Sequence, residues 1–275
     1  MITKDVLIAI PPILWVALRS LITAIVLVVV ALVLKRPHPR PFRSFIGPMT
    51  FLAIFGGILT QAFFMVGLRY TTSINCSVLN TLTPVLTLPF AFFVEKSRFG
   101  LKKGIGFFLS LVGVLILCKV EEFSFSGGTL YGDFVTFLSC LVYAAFLVFG
   151  KDFFRKYDKI WCSAWLFAIS SIGLGIWSFP QWGSLAGLHL TPSLFASMAY
   201  SVVGASILAY FLVIWVLSHS SAFQVAIFSY LQPLIASALA WGFAGEQITL
   251  RTLISSLLIF VGVGFTLEKE AGRSQ

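Results

Sequence analysis

Ile22-Thr23-Ala24-Ile25-Val26-Leu27-Val28-Val29-Val30-Ala31-Leu32-Val33-Leu34 carries no charge and stops at Lys35-Arg36-Pro37-His38-Pro39-Arg40-Pro41. Followed back to residue 13, the run is long enough to cross a bilayer, which takes about 20 apolar residues as a helix. The segment after it cannot continue the helix, because three prolines each remove a backbone donor and the basic side chains are costly in hydrocarbon. A membrane barrel strand would alternate apolar and polar residues over about ten positions, and this run does not.

The same alternation of apolar run and polar break fills the rest of the chain. Nine spans are expected, at 13–34, 48–68, 73–94, 103–120, 131–150, 161–178, 194–217, 222–243 and 252–268. Ser126-Gly127-Gly128 and Phe179-Pro180-Gln181-Trp182-Gly183 read as turns. The 275 residues are 59% hydrophobic and 11% charged, with a mean hydropathy of +0.99; water-soluble chains carry about 25% charged residues. The expected fold class is therefore an all-α polytopic membrane protein, with no segment left for a soluble catalytic domain. No cleavable signal peptide is evident, since the apolar run after Lys4 continues without a small-residue cleavage site.

The net charge of +9 lies in the loops, where topology accounts for it better than a nucleic-acid partner does. Taken on alternate sides, one face collects Lys35, Arg36, Arg40, Arg43, Lys96, Arg98, Lys102, Lys103, Lys151, Arg155, Lys156, Lys159, Lys269 and Arg273. The other holds Lys4, Arg69, Lys119 and Arg251, and Arg19 sits inside the first span. Positive residues stay cytoplasmic, so the C-terminus is expected inside and Met1 outside. Cys76, Cys118, Cys140 and Cys162 are scattered singly and read as packing residues. His38, His189 and His219 fall in loops or at span edges and receive no chemistry.

An internal repeat emerges at an offset of 149 residues. Leu68, Leu82, Pro84, Val112, Gly113 and Val114 meet Leu217, Leu231, Pro233, Val261, Gly262 and Val263, and Glu95 meets Glu246 after a two-residue gap. The matched spans are the third and the eighth, so the copies cross the membrane in opposite senses. Inverted repeats of this kind build many secondary transporters. Span 131–150 opens the second copy and has no counterpart in the first, which makes the repeat four helices followed by five. A leading helix encoded ahead of Met1 is the corresponding expectation, and it would return the N-terminus to the cytoplasm.

Leu68-Arg69-Tyr70-Thr71-Thr72, Leu79-Asn80-Thr81-Leu82-Thr83-Pro84-Val85, Glu95 and Gly104 through Gly113 have echoes in the second half. These are Ser220-Ser221-Ala222, Leu231-Gln232-Pro233-Leu234, Glu246 and Gly262-Val263-Gly264. With Arg19 and Tyr131-Gly132-Asp133, they resemble the EamA-type exporters of the drug/metabolite transporter superfamily. The resemblance implies ten helices in two inverted five-helix repeats around a central cavity. On this chain the repeats would be 1–120, with four helices, and 131–268, with five.

Pro84 and Pro233 each lie eleven residues into their spans, near the midplane, where each frees the carbonyl four residues earlier. They read either as static kinks or as paired hinges of alternating access. Polar residues inside spans must be paired or face the interior. Gln61, Asn80, Thr83, Tyr143, Tyr210, Gln224 and Tyr230 are accordingly either inter-helix glue or substrate contacts. Arg19 either snorkels to the outer surface or faces an anionic cargo group such as a carboxylate. Asp133, Glu95 and Glu246 end spans and read as helix-end or surface charges. The glycines Gly56-Gly57, Gly104, Gly106, Gly113, Gly262 and Gly264 read as close-packing positions.

The expectation is a secondary transporter, most simply an exporter, of small metabolites such as amino acids or drug-like amphipathic compounds. It sits in the plasma (inner) membrane, with a small-molecule substrate and the lipid bilayer as partners, no nucleic acid and no cofactor. A homodimer stays open, as does a non-transporting assembly or receptor subunit. A membrane enzyme would need intramembrane His, Cys or Asp pairs or a nucleophile with its base, and neither these nor a nucleotide-binding loop is found.

Overall fold

The computed structural model describes residues 6, 9–95, 100–118, 120–123, 127–187, 191–244 and 249–267. Among them there are only helices, turns and coil. They are α1 Pro12–Val33, α2 Phe42–Tyr70, α3 Ser73–Asn80, α4 Leu82–Glu95, α5 Leu101–Leu117, α6 Leu130–Lys156, α7 Lys159–Trp177, α8 Pro192–Leu217, α9 Ala222–Ile227, α10 Leu231–Ala244 and α11 Leu250–Leu267. All nine expected spans fall on these helices, two of them divided, at α3/α4 and α9/α10. Six, Pro12–Val33, Phe42–Tyr70, Asn75–Val94, Leu130–Lys156, Lys159–Trp177 and Pro192–Leu217, are long and apolar enough to cross a membrane. Ala222–Ile235 and Leu250–Thr266 are shorter apolar helices. Glu246, His189, Lys4, Lys96, Arg98, Lys119, Lys269 and Arg273 lie outside the described residues.

Local chemistry sets the helix ends. Pro12 opens α1, where a missing N–H is no loss. At its other end, Lys35 takes φ 50°, its N–H donates to Leu32 O (3.0 Å) and that of Arg36 to Ala31 O (2.9 Å), a Schellman closure that normally takes glycine. Thr72 caps α3 and Ser221 caps α9, the latter in a reciprocal box with Gln224. These two caps are 149 residues apart, so the repeat extends to the punctuation of the helices. Along α1, Leu14, Ala17, Thr23, Ala24, Leu27 and Ala31 are buried while Leu21, Ile25, Val29, Leu32 and Val33 are exposed. Large exposed apolar faces recur on α4, α5 and α11, with Phe93, Phe108 and Leu257 among them; a surface of this kind is suited to lipid.

The chain forms two compact units, each drawing on both sequence halves. One is Met1–Val66 with Ala145–Ser220, and the other is Gly67–Ala144 with Ser221–Gln275.

In the first unit, α1 packs along α7. Ala17, Leu18 and Leu21 lie beside Ser171, Ile172, Gly175 and Ile176, while Trp161 at the other end of α7 donates its indole N–H to Arg36 O, just past α1 (3.2 Å). The two helices are therefore antiparallel. Val16, Ala17, Ala62 and Leu174 form one buried cluster, and Ile10, Leu14, Trp15, Leu194 and Val202 belong to another.

In the second unit α5 packs along α11. Gly106 lies against Gly262 and Thr266, Gly113 against Ser255 and Ile259, and Arg251 donates to Ile116 O at 2.6 Å. This pair is also antiparallel, and Leu101–Leu117 displaced by 149 residues falls on Leu250–Thr266. In each unit, then, a helix packs antiparallel against the helix 149 residues away.

Candidate functional site

In the first unit, α1 supplies Val16, Arg19 and Ser20, α2 supplies Gly57 and Gln61, α7 supplies Phe167 and Ser170, and α8 supplies Tyr210. Together they line one small pocket. The amide of Gln61 donates to the Tyr210 hydroxyl at 2.6 Å, and that hydroxyl donates to Gly56 O at 3.5 Å. Phe167 packs edge-on to the Tyr210 ring, 5.1 Å between centroids. Arg19 donates from Nη1 to Ser201 Oγ at 3.4 Å, and its Nε is buried without a hydrogen-bond partner. Ser201 is itself fully buried, so this end of the guanidinium turns toward the interior of the unit. No carboxylate lines this pocket, and the space between the side chains is too tight for a water molecule.

Sequence reasoning missed the backbone that carries these groups. Ile54–Leu59 of α2 and Ser201–Leu208 of α8 are π-helical. The Thr60 N–H reaches Phe55 O and the Ala209 N–H reaches Gly204 O, each an i to i−5 bond and each 149 residues from its counterpart. Such widened turns are rare and concentrate at functional positions. Gln61 and Tyr210 follow them at equivalent places and touch each other. The nearest signal in the sequence was Gly56-Gly57, whose second glycine passes so close to Ser170 that a Cβ would lie 1.8 Å from its Oγ.

The second unit holds the other expected residues. Tyr230, 1% exposed, donates its hydroxyl to Thr81 O at 3.0 Å. That carbonyl lies where the helix is interrupted between α3 and α4, and Tyr230 lies in the equivalent interruption, the 3-10 turn Phe228–Tyr230. Again the partners are 149 residues apart. Asn80 accepts from the Cys140 thiol at 3.4 Å and donates to Cys76 Sγ at 3.8 Å. Thr83 is buried, and its backbone carbonyl accepts from the Thr87 hydroxyl at 2.7 Å. Tyr143 is half-buried on α6.

Three expectations change. Pro84 and Pro233 are not kinks inside continuous helices: each is the third residue of α4 and α10, just past an interruption, where a proline is tolerated. Gln224 caps its own helix, its Oε1 accepting from Ser221 N and Oγ at 3.1 Å. Asp133 is 2% exposed rather than a surface charge. It accepts from the Thr71 hydroxyl and from Asn75 Nδ2 at 3.0 and 3.2 Å. Thr71 and Asn75, four residues apart in Thr71-Thr72-Ser73-Ile74-Asn75, were the available signal for that partner set. The structure thus gathers Arg19, Gln61 and Tyr210 in one unit, and Asn80, Thr83 and Tyr230 around the interruptions of the other.

Comparison with known proteins matches this architecture. An uncharacterized transporter of Archaeoglobus fulgidus is 28% identical over 86% of this chain and 81% of its own length. The uncharacterized transporter YoaV of Bacillus subtilis is 23% identical over 92% and 86%. A crystal structure of another protein superposes with a TM-score of 0.78 over 94% of this chain and 88% of that one; at 16% identity the likeness is one of fold. The EamA-like transporter family matches residues 1–118 and 130–267, the same two stretches whose helices pair in antiparallel fashion within each unit. This chain is thus a multi-pass integral membrane protein and not an enzyme, and it belongs to the EamA-like transporter family.

Proposed function

We propose that the protein is a secondary transporter that exports small metabolites, amino acids or amphipathic drug-like compounds, by alternating access. The observation that carries this reading is the pair of interrupted helices at equivalent repeat positions, tied to each other by the Tyr230 to Thr81 bond. Interrupted helices in the two copies of an inverted repeat are the usual location of transporter binding sites, because free backbone groups there face protein or water instead of lipid. The π-helical turns leading to Gln61 and Tyr210 support the same reading from the first unit. Within the first unit Arg19, Gln61 and Tyr210 are the proposed substrate contacts, within the second Asn80, Thr83, Tyr143 and Tyr230 are, and Pro84 and Pro233 are the residues proposed to hold the interruptions open. The repeats 1–120 and 131–268 are the proposed units of inversion, in a plasma-membrane protein whose C-terminus is cytoplasmic.

The test is flux. Proteoliposomes containing the chain are loaded with a labelled panel of amino acids and amphipathic amines and acids, and efflux is compared with empty vesicles. Saturable, protein-dependent efflux of at least one compound, reduced by Asn80→Leu with normal reconstitution, is expected. No protein-dependent flux of any compound favours the non-transporting assembly or receptor subunit.

A further inference from the structure

We propose that Arg19, with Gln61 and Tyr210, recognises the carboxylate of a small amphipathic monocarboxylate. The inference rests on the transporter reading and assigns the substrate class of that same site. An ionised side chain within the membrane is retained only where something compensates it. Arg19 has one long bond, to the neutral Ser201, and a buried Nε with none. Water does not fit between the lining side chains, so the buried Nε has no room for a solvent partner there. The remaining polar groups, Ser20, Gln61, Ser170 and Tyr210, are neutral; Ser170 already donates to Leu166 O at 2.6 Å, and Ser20, Gln61 and Tyr210 can donate to a ligand. A cation ringed by neutral donors is complementary to an anion.

The chemistry narrows the anion further. A guanidinium edge presents parallel N–H groups that match a carboxylate in bidentate fashion. A phosphate monoester brings a charge of about −1.5 to −2 at neutral pH, which one arginine cannot neutralise. Val16 and Phe167 form the apolar wall and suit a hydrocarbon tail. Gln61 and Tyr210 are bonded to each other in this conformation, so the site is shut. Opening that bond frees an amide and a hydroxyl beside Arg19 to meet the ligand.

The probes are monocarboxylates of four to nine carbons, plain and bearing α-amino, α-keto or α-hydroxy groups, each paired with its primary amide. Binding is read by thermal shift on the purified protein and flux in proteoliposomes. At least one acid is expected to stabilise the wild type and to be transported, at 30-fold or greater preference over its amide, about the loss expected when one partner of a buried charge pair is removed. Arg19→Gln should abolish that preference while the ligand-free variant melts no lower than the wild type, because an uncompensated buried charge has been removed. If Arg19→Gln does not fold, the acid-over-amide ratio of the wild type decides by itself. Head-group-blind binding with flux of acids and amides alike overturns the carboxylate assignment and leaves the transporter reading standing. Acid-selective binding without flux upholds the assignment and overturns the transporter reading. Absence of both binding and flux overturns both.

Discussion

The seam between α5 and α11 admits a quantitative test. A Cβ on Gly262 would lie 2.5 Å from Gly106 O and 2.3 Å from Ser110 Oγ; a Cβ on Gly106 would lie 2.5 Å from Gly262 O and 2.8 Å from Thr266 Oγ1. Ser110 can turn aside, but the two carbonyls belong to helix backbones. Each alanine therefore sits about 0.9 Å inside ordinary contact at 3.4 Å, and only separation of the helices relieves it. Overpacking of this order costs about 1–3 kcal/mol, offset by up to about 1 kcal/mol of helix propensity. Gly106→Ala and Gly262→Ala should each destabilise by about 1–2 kcal/mol, lowering the melting temperature in detergent by about 2–8 °C. One separation serves both substitutions, so the double variant should cost less than the sum by about 1 kcal/mol, a coupling expected only for neighbours. Gly264→Ala is the control, with nothing within 4 Å of its Cβ, and should leave the melt unchanged or raise it slightly. Scanning fluorimetry of the four variants reads all of this. Neutral single substitutions, or strictly additive losses, would refute close antiparallel packing of these repeat mates.

Tyr230→Phe removes the donor to Thr81 O and leaves a buried carbonyl unpaired, at a cost of about 1–3 kcal/mol; an unaltered melt would show that the interruption is satisfied otherwise. Deleting Ile58 from the π-helical turn should restore α-helical bonding and rotate Gln61 by about 100° relative to the preceding turn, so that membrane insertion persists while flux is lost; retained flux would deny the turn a role. Pro84→Ala and Pro233→Ala should bias opposite conformations, seen as cysteine labelling from opposite sides of the membrane, and the same bias from both would contradict paired hinges. Tags in 35–44, in 151–159 and after Gln275 should report as cytoplasmic and a tag in 121–129 as external, whereas an external reading at 151–159 would invert the proposed orientation.

The helices themselves were readable in the sequence because hydropathy is local. Ile22–Leu34 cannot be anything but a membrane helix, and Lys35–Pro41 cannot extend it. Nor did the repeat pattern require coordinates: Pro84 with Pro233 and Gly113 with Gly262 recur at one offset across an odd number of spans. Arg19, Gln61, Tyr210 and Tyr230 stood out for the same local reason, as polar groups where lipid tolerates none. Asp133 did not, because a carboxylate at a helix start reads as solvated until Thr71 and Asn75 are seen to enclose it.

Tertiary structure alone decided which of these residues meet. Gln61 bonds Tyr210 and Tyr230 bonds Thr81 at the repeat offset itself, since an inversion brings equivalent positions of two copies together only where their helices pack side by side. The helix breaks fall at Thr81 and at Phe228–Tyr230 rather than at the prolines, because a proline is accommodated without loss in a first turn and its disruption is passed to the residues before it. The π-helical turns at Ile54–Leu59 and Ser201–Leu208 leave no mark in hydropathy. A shift from i−4 to i−5 bonding changes the facing of every later side chain but not the count of apolar residues.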